Sequence, residues 1–182
     1  MSRVPLLGHA SLDDIFAYLP AGPTTVRRFL ATASALAKRL PAGRHFLNLC
    51  QDRYRFSVGL AAGLLDGRTS LQPASQSVET LRQIQRQHAD VFCLCDGAFD
   101  SLDLPRVDFP DLSALGLEAV AGIPDIPGEL VAVTVYTSGS TGLPVAHDKS
   151  WGALVRNARA EASRLGLLDG ARHTIVGTVP AQ

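Results

Sequence analysis

Residues 45–72, HFLNLCQDRYRFSVGLAAGLLDGRTSLQ, decide the fold class of this chain. The apolar stretch His45–Cys50 predicts a strand, and Thr69–Gln72 predicts a second, shorter one. Between them, Tyr54–Leu65 is apolar nearly all round, which predicts a helix buried on more than one side. Asp52 is its expected N-cap and Gly67 its terminator. A strand, a helix and a strand in this order indicate a βαβ unit with parallel strands.

The same alternation continues on both sides of this unit. A helix is predicted from Val26 to Leu40, capped by a threonine and ended by Pro41. Another begins at Ser77, with Val78, Leu81 and Ile84 on its inner face. Further elements are the strands Val91–Cys95, Leu130–Tyr136 and Thr174–Val179, and a last helix from Trp151 to Leu165 that ends at Gly166. We therefore predict an α/β fold, a doubly wound and mainly parallel sheet with helices on both faces.

Two segments have weaker patterns. Residues 1–22 look irregular, with a short helix expected over Leu12–Leu19. Residues 97–129 contain four prolines and most of the acidic excess, which favours loops with short irregular strands. The whole chain, 1–182, is expected to form a single α/β domain, with 97–129 as an acidic connecting segment.

Composition limits the function classes. The 182 residues are 46% hydrophobic, and 17 basic residues balance 17 acidic ones. Zero net charge argues against a general nucleic-acid binder, and no apolar run approaches the ~20 residues of a membrane span. No signal-peptide pattern opens the chain, so a cytoplasmic location is expected.

Charge is unevenly distributed along the chain. The net charge is +5 over residues 1–95, −7 over 96–129 and +2 over 130–182. The acidic segment is interpreted as a solvated connection, and the alternative is a docking surface for a basic partner.

The cysteines and most histidines give no site by spacing. Cys50, Cys93 and Cys95 lie in apolar runs, which favours buried, reduced thiols over a zinc set. Four histidines, at positions 9, 45, 88 and 173, show no useful spacing. No metal site is predicted.

One loop carries the chemistry. Residues 136–144, YTSGSTGLP, follow the strand Leu130–Tyr136 and are expected to precede a helix. Gly139 and Gly142 permit positive φ and close backbone approach, so successive N–H groups can form a nest for phosphate oxygens. The hydroxyls of Thr137, Ser138, Ser140 and Thr141 add donors. The spacing is not that of a Walker A loop, because Leu143 follows Gly142.

This nine-residue string closely resembles the phosphate-loop signature of adenylate-forming enzymes, the superfamily of acyl- and aryl-CoA synthetases, adenylation domains and luciferases. The upstream βαβα order is similar to the N-terminal subdomain of that superfamily. Asp52–Phe56 and Lys149–Gly152 are also similar to a bacterial subgroup of aryl-polyene and xanthomonadin-type pigment synthesis.

The resemblance implies a reaction of a carboxylate with ATP, which gives acyl-AMP and pyrophosphate, followed by transfer to the thiol of CoA or a carrier protein. It implies that the β- and γ-phosphates of ATP are held by Thr137, Ser138, Gly139, Ser140, Thr141 and Gly142. ATP is expected with magnesium, whose ligand lies outside this chain, as do the catalytic residues. The chain would then be an N-terminal portion of a larger ligase, inactive alone.

The string departs from the family pattern at one position. The usual lysine after the proline is replaced by Val145. Lys149 is one substitute for that cation, and the alternative is a solvated side chain near the last helix. His147 is interpreted as an ordinary loop histidine, with phosphate donation as the alternative. Trp151 is expected in the core.

Three interpretations of the whole chain remain. The first is the ligase fragment. The second is a non-catalytic module of the same fold that binds a nucleotide or a protein, which the valine at 145 favours. The third is an unrelated nucleotide-binding protein with a coincidental loop.

Overall fold

The computed structural model describes residues 2–97, 103–112, 115–138 and 144–168. The elements in these ranges are β1 (Arg3–Pro5), β2 (Ile15–Leu19), β3 (Gly22–Thr25), α1 (Val26–Ala37), β4 (His45–Asn48), α2 (Arg53–Leu65), β5 (Thr69–Gln72), α3 (Val78–Gln87), β6 (Phe92–Cys95), β7 (Arg106–Asp108), β8 (Asp125–Pro127), β9 (Val131–Ser138), β10 (Pro144–Ser150) and α4 (Trp151–Arg164).

The central sheet has six strands in the order β10-β9-β5-β4-β6-β7. Strands β9, β5, β4, β6 and β7 are parallel to one another, and in this sheet only β10 is antiparallel. The unit β4-α2-β5 connects adjacent parallel strands, as residues 45–72 predicted. The prediction of a mainly parallel α/β sheet is confirmed.

Alternate residues of the strands face two separate apolar clusters. Phe46 of β4 and Phe92 of β6 belong to a first cluster, which α1, α2 and α4 cover. Leu47 and Cys93, the next residue on each strand, belong to a second cluster, which includes Leu81 and Ile84 of α3. Helices therefore cover both faces of the sheet.

Side chains at the starts of the helices match the predicted caps. Thr25 accepts a hydrogen bond from the backbone N–H of Arg28, and Asp52 accepts one from Arg55. Ser77 accepts from Thr80 in the same way. These three cap predictions are confirmed, and Gly67 ends α2 with a φ of +70°.

The predicted helix over Leu12–Leu19 is wrong, because Ile15–Leu19 forms β2 and pairs antiparallel with β3. The turn between them reaches Gly22, whose φ of +120° favours glycine. Phe16 packs its ring on Phe29 of α1, with centroids 3.8 Å apart. This aromatic contact and the tight turn outweigh the weak helical pattern.

Within the acidic segment 97–129 the structure describes two short strands. Strand β7 joins the edge of the central sheet beside β6, and β8 pairs with β1 near the chain start. The expected strand Thr174–Val179 lies outside the described residues. In the part of the chain that the structure describes, no helix combines the length and the apolar character that crossing a bilayer requires.

Candidate phosphate-binding hairpin

The string 136–144 begins within β9 and ends at the first residue of β10, and these two strands pair antiparallel. Ser138 at the end of β9 pairs with Pro144 at the start of β10, so the two ends of segment 139–143 are neighbours. Strand β9 runs parallel to β5, so Ser138 at its end lies at the carboxyl edge of the parallel strands, where α/β sheets bind ligands. The predicted strand–loop–helix order is wrong: a strand follows the loop, and the helix begins only at Trp151.

Strand β10 escaped sequence prediction because it has no apolar face. Its residues 145–149 are all exposed, and it forms the outer strand of the sheet. Proline at the first position and charged residues within the strand are typical of sheet edges. Pairing with β9, rather than burial, therefore makes this segment a strand.

Two side-chain contacts cross the hairpin. Thr134, which is buried, donates from its hydroxyl to Asp148 Oδ1 at 2.7 Å. Nearer the turn, Thr137 Oγ1 lies 3.3 Å from Nε2 of His147. His147 lies in β10 and pairs with Val135 of β9, so its interpretation as a loop histidine is wrong. His147 is exposed, and its ring lies next to the hydroxyl of Thr137.

The predicted phosphate ligands are only partly within the described residues. Thr137 is exposed at the end of β9, and the backbone of Ser138 is its last strand position. Gly139, Ser140, Thr141 and Gly142 lie outside the described residues, so their assignment stays a prediction.

Lys149 lies away from the turn. It pairs with Val133 and follows Pro144 by five strand residues, about 17 Å at roughly 3.4 Å per residue. It is exposed, and Ser150 beside it caps α4. This placement favours the solvated alternative for Lys149. Val145 pairs with Thr137 and is 46% exposed, so an apolar side chain stands where the family pattern has a cation.

A chain of polar side chains supports the base of the hairpin, and the spacing of the histidines did not reveal it. Asp90 Oδ1 lies 2.9 Å from Nδ1 of His45, and the His45 and His88 rings are 4.3 Å apart. His88 Nε2 lies 2.7 Å from the hydroxyl of Tyr136, the first residue of the string. Burial lowers the pKa of His88, and nearby His45 lowers it further.

The described end of β9 offers hydrogen-bond donors that a phosphate could use. Thr137 offers a hydroxyl at the carboxyl edge of the sheet, with the His147 ring beside it. Among the described residues, no three His, Cys, Asp or Glu side chains are arranged to hold a metal ion. These residues alone therefore do not form a magnesium site.

The three cysteines are buried and free, as the sequence predicted. Burial is the main reason that the pKa of Cys50 rises to about 12 and that of Cys93 to about 11. Such thiols stay protonated at neutral pH and are poor nucleophiles.

No protein-family model matches the sequence, and no curated protein matches it. Solved structures do match. One is o-succinylbenzoate CoA synthetase (MenE) from Bacillus subtilis with a product analogue, at 20% identity and a TM-score of 0.66, covering 85% of this chain and 34% of that one. Another is VinN with 3-methylaspartate, at 20% identity and a TM-score of 0.67, covering 86% of this chain and 48% of VinN.

A third is a malonyl-CoA ligase with methylmalonyl-CoA and AMP bound, at 24% identity and a TM-score of 0.62, covering 87% and 34%. Other structures of the B. subtilis synthetase contain AMP, or ATP with a magnesium ion. The chain thus spans between a third and a half of the length of these proteins. At this level of identity, the similarity shows that the chain has the fold of a portion of these CoA ligases and related proteins.

Proposed function

We propose that this chain is the N-terminal, phosphate-holding portion of an AMP-forming acyl- or aryl-acid ligase. In this proposal the complete enzyme activates a carboxylate with ATP and passes the acyl group to the thiol of CoA or of a carrier protein. The chain contributes the loop that holds the β- and γ-phosphates, and the catalytic and magnesium-binding residues lie outside it.

One observation carries the proposal: the string Tyr136–Pro144 connects β9 to its antiparallel neighbour β10 at the edge of the sheet, in a fold shared with ligases whose structures contain AMP or a CoA thioester. Neither the string nor the fold is sufficient evidence alone. Serine- and glycine-rich turns are common, and one fold hosts many functions. The joint occurrence of the string and the fold supports this function over an unrelated nucleotide-binding protein.

The chemistry of the loop follows from its donors. Negative charge builds up on the leaving pyrophosphate as the bond to the α-phosphorus breaks. Donors already oriented toward that group stabilise this charge without reorganisation. Backbone N–H groups and the hydroxyls of Thr137, Ser138, Ser140 and Thr141 would share this role. We therefore expect the loss of any one hydroxyl to cost only about 1–2 kcal/mol.

A second candidate is a non-catalytic module that binds a nucleotide. The exposed Val145 favours it, since the cation beside the phosphates in the family pattern is absent at that position. Lys149, at the far end of β10, is poorly placed to replace it. The two candidates differ in one property: only the ligase couples nucleotide binding to an acid.

We propose three finer assignments, of which the first two rest on the sequence resemblance and the third on the composition of the chain. These are ATP with magnesium as the cofactor, the aryl-polyene or xanthomonadin-type subgroup, and a cytoplasmic location. The identity of the acid follows from none of the described residues.

The exchange of labelled pyrophosphate into ATP tests the ligase directly. We expect acid-dependent exchange by the full-length protein that contains this chain, assayed with a panel of aliphatic and aromatic acids. We expect none by residues 1–182 alone. Exchange by the isolated chain would overturn the assignment as a portion. A full-length protein that binds ATP but exchanges with no acid would favour the non-catalytic module.

A further inference from the structure

Four polar side chains from three parts of the chain lie in one continuous series. His45 begins β4, His88 follows the last turn of α3, Asp90 precedes β6, and Tyr136 lies near the end of β9. They form a continuous path of contacts: Asp90 Oδ1 lies 2.9 Å from His45 Nδ1, the His45 and His88 rings are tilted by 47° with centroids 4.3 Å apart, and His88 Nε2 lies 2.7 Å from the Tyr136 hydroxyl.

The far end of this path is fixed to the backbone. Asp90 Oδ2 accepts a hydrogen bond from the N–H of Arg44 at 2.7 Å, next to His45. The His88 backbone N–H donates to the carbonyl of Ile84 at 3.2 Å, which holds the ring at the end of α3. The path therefore runs from Asp90, whose side chain is 41% exposed but held by the Arg44 backbone, to the buried Tyr136.

An acid, two imidazoles and a phenol in series resemble a catalytic relay, but the geometry excludes that role here. Tyr136 is only 1% exposed, so its hydroxyl is out of reach of a substrate. Its ring belongs to the second apolar cluster with Leu81 and Ile84 of α3. The path thus ends inside the protein, where it can orient a side chain but cannot exchange protons with a ligand.

Tyr136 is well placed to transmit that orientation. It is the last buried residue before Thr137, and its cross-strand partner on β10 is Ala146. Two positions earlier on the same face, Thr134 is tied to Asp148 of β10. Anchoring the Tyr136 hydroxyl therefore fixes the backbone from which the candidate phosphate ligands project.

We propose that His88 is a positioning residue for the phosphate loop: held by His45 and Asp90, it anchors the Tyr136 hydroxyl and so fixes Thr137 and Ser138 in the conformation that binds phosphate. This inference rests on the proposed function for its ligand, and on the described contacts for its mechanism.

The arrangement makes the anchor sensitive to pH. A neutral His88 can accept the hydrogen bond of the Tyr136 hydroxyl at Nε2, but a protonated ring can only donate there. The charged groups that face His88 are His45 on β4, Asp90 before β6 and Asp148 on β10. Burial and His45 lower the pKa of His88, while the two carboxylates oppose them. The anchor is therefore intact near neutral pH and altered in acid.

Nuclear magnetic resonance on the 182-residue chain tests this coupling. The His88 ring and the amides of Thr137 and Ser138 are followed from about pH 8 to about pH 5. A His147→Asn background is used, because the His147 ring lies 3.3 Å from Thr137 Oγ1 and would influence the chemical shift of the same amide. We expect both amides to shift with the midpoint of His88, and Tyr136→Phe to abolish that shift. Tyr18→Phe, on a tyrosine that is 67% exposed, is the matched control.

Two results would overturn the inference. In the first, the amide chemical shifts of Thr137 and Ser138 do not change with the midpoint of His88. In the second, they still change with that midpoint in the Tyr136→Phe variant. His88→Gln should remove the pH dependence while a side chain that can hydrogen-bond the phenol remains. A well-dispersed spectrum of each variant shows that it is folded.

Calorimetry with pyrophosphate separates this inference from the proposed function. If both hold, Tyr136→Phe binds pyrophosphate about threefold to tenfold more weakly than Tyr18→Phe at pH 8, a loss of the size of one hydrogen bond. If Tyr18→Phe and the parent chain bind no pyrophosphate, the proposed function fails, while the amide titration still decides whether His88 positions Thr137. Equal affinities of the two variants would contradict the positioning role.

Discussion

Gly63 shows at the scale of one residue how α2 approaches the sheet. A Cβ at this position would lie 2.5 Å from the Phe46 ring. That ring cannot retreat, since it is fully buried and stacked on Phe92 with centroids 5.7 Å apart. Gly59, one turn earlier, faces Leu94 in the same way. Glycine in a helix is thus explained here by close packing.

Gly63→Ala is predicted to destabilise the protein by about 1–3 kcal/mol, the usual cost of overpacking. The sign is diagnostic, because alanine at an unconstrained helix position stabilises by about 1 kcal/mol. Denaturant unfolding measures the change. Gly8→Ala is the control, since nothing lies within 4 Å of a Cβ there. A stabilised Gly63→Ala variant would mean that α2 lies farther from β4 than described.

His88 gives a pH-dependent prediction at the same scale. Its pKa is lower in the folded protein than in the unfolded chain, so acid protonates the unfolded chain first. The His88 contribution to stability is therefore full above the ordinary histidine pKa of about 6.5 and is lost as the pH falls through the lower folded value. The pKa of Asp90 is also lowered in the folded protein, so its contribution to stability is lost only in a more acidic range, below about pH 3.8.

Unfolding free energies measured in urea between about pH 7.5 and about pH 5 test this. We expect stability to fall on acidification and to fall less steeply in His88→Gln. A variant with the same slope as the parent would assign the acid sensitivity to other groups.

The His45–His88–Tyr136 path marks the limit of sequence prediction at this scale. His88 and Tyr136 are 48 positions apart, and only the packing of α3 against the sheet brings them together. Nothing in the local pattern distinguishes these histidines from surface ones. By contrast, the burial of the cysteines was predictable, because each lies in an apolar run.

At the scale of elements, the start of α2 depends on Asp52. Its carboxylate accepts the N–H of Arg55 at 2.8 Å, and its own N–H donates to Asp96 Oδ2 at 2.9 Å. An N-cap aspartate satisfies one of the free N–H groups of the first turn.

Asp52→Ala is predicted to lower the unfolding free energy by about 1 kcal/mol, while Asp52→Asn changes it little, since asparagine caps equally well. Thermal and denaturant unfolding of the two variants measure the difference. If both lose the same stability, the charge of Asp52, rather than its cap geometry, holds α2.

Elements with an apolar face or a clear cap were predictable, and the two hairpins were not. The periodicities that place α1 and α3, and the apolar stretch that places α2, are properties of each helix alone. Strands β2 and β10 are defined by antiparallel pairing with a neighbour, and residues 145–149 of β10 are exposed. A segment without an apolar face has no periodicity to predict from, so the strand after the phosphate loop was mistaken for the approach to a helix.

At the scale of the whole molecule, the alternation of strands and helices was enough to predict the α/β class. Similarity to the CoA ligases is detected in structure at 20–24% identity, whereas no family model matches the sequence. The resemblance in sequence is concentrated in the nine residues 136–144. The proposed function therefore depends on whether this segment binds phosphate.

Isothermal titration calorimetry of the 182-residue chain with pyrophosphate tests that claim most directly. We predict saturable binding that is lost when Gly139 and Gly142 are both replaced by alanine, because added Cβ atoms would obstruct the backbone nest. Gly8→Ala, outside the hairpin, should bind like the parent. Absence of binding by the parent chain, or equal binding by the parent and the double variant, would contradict the account.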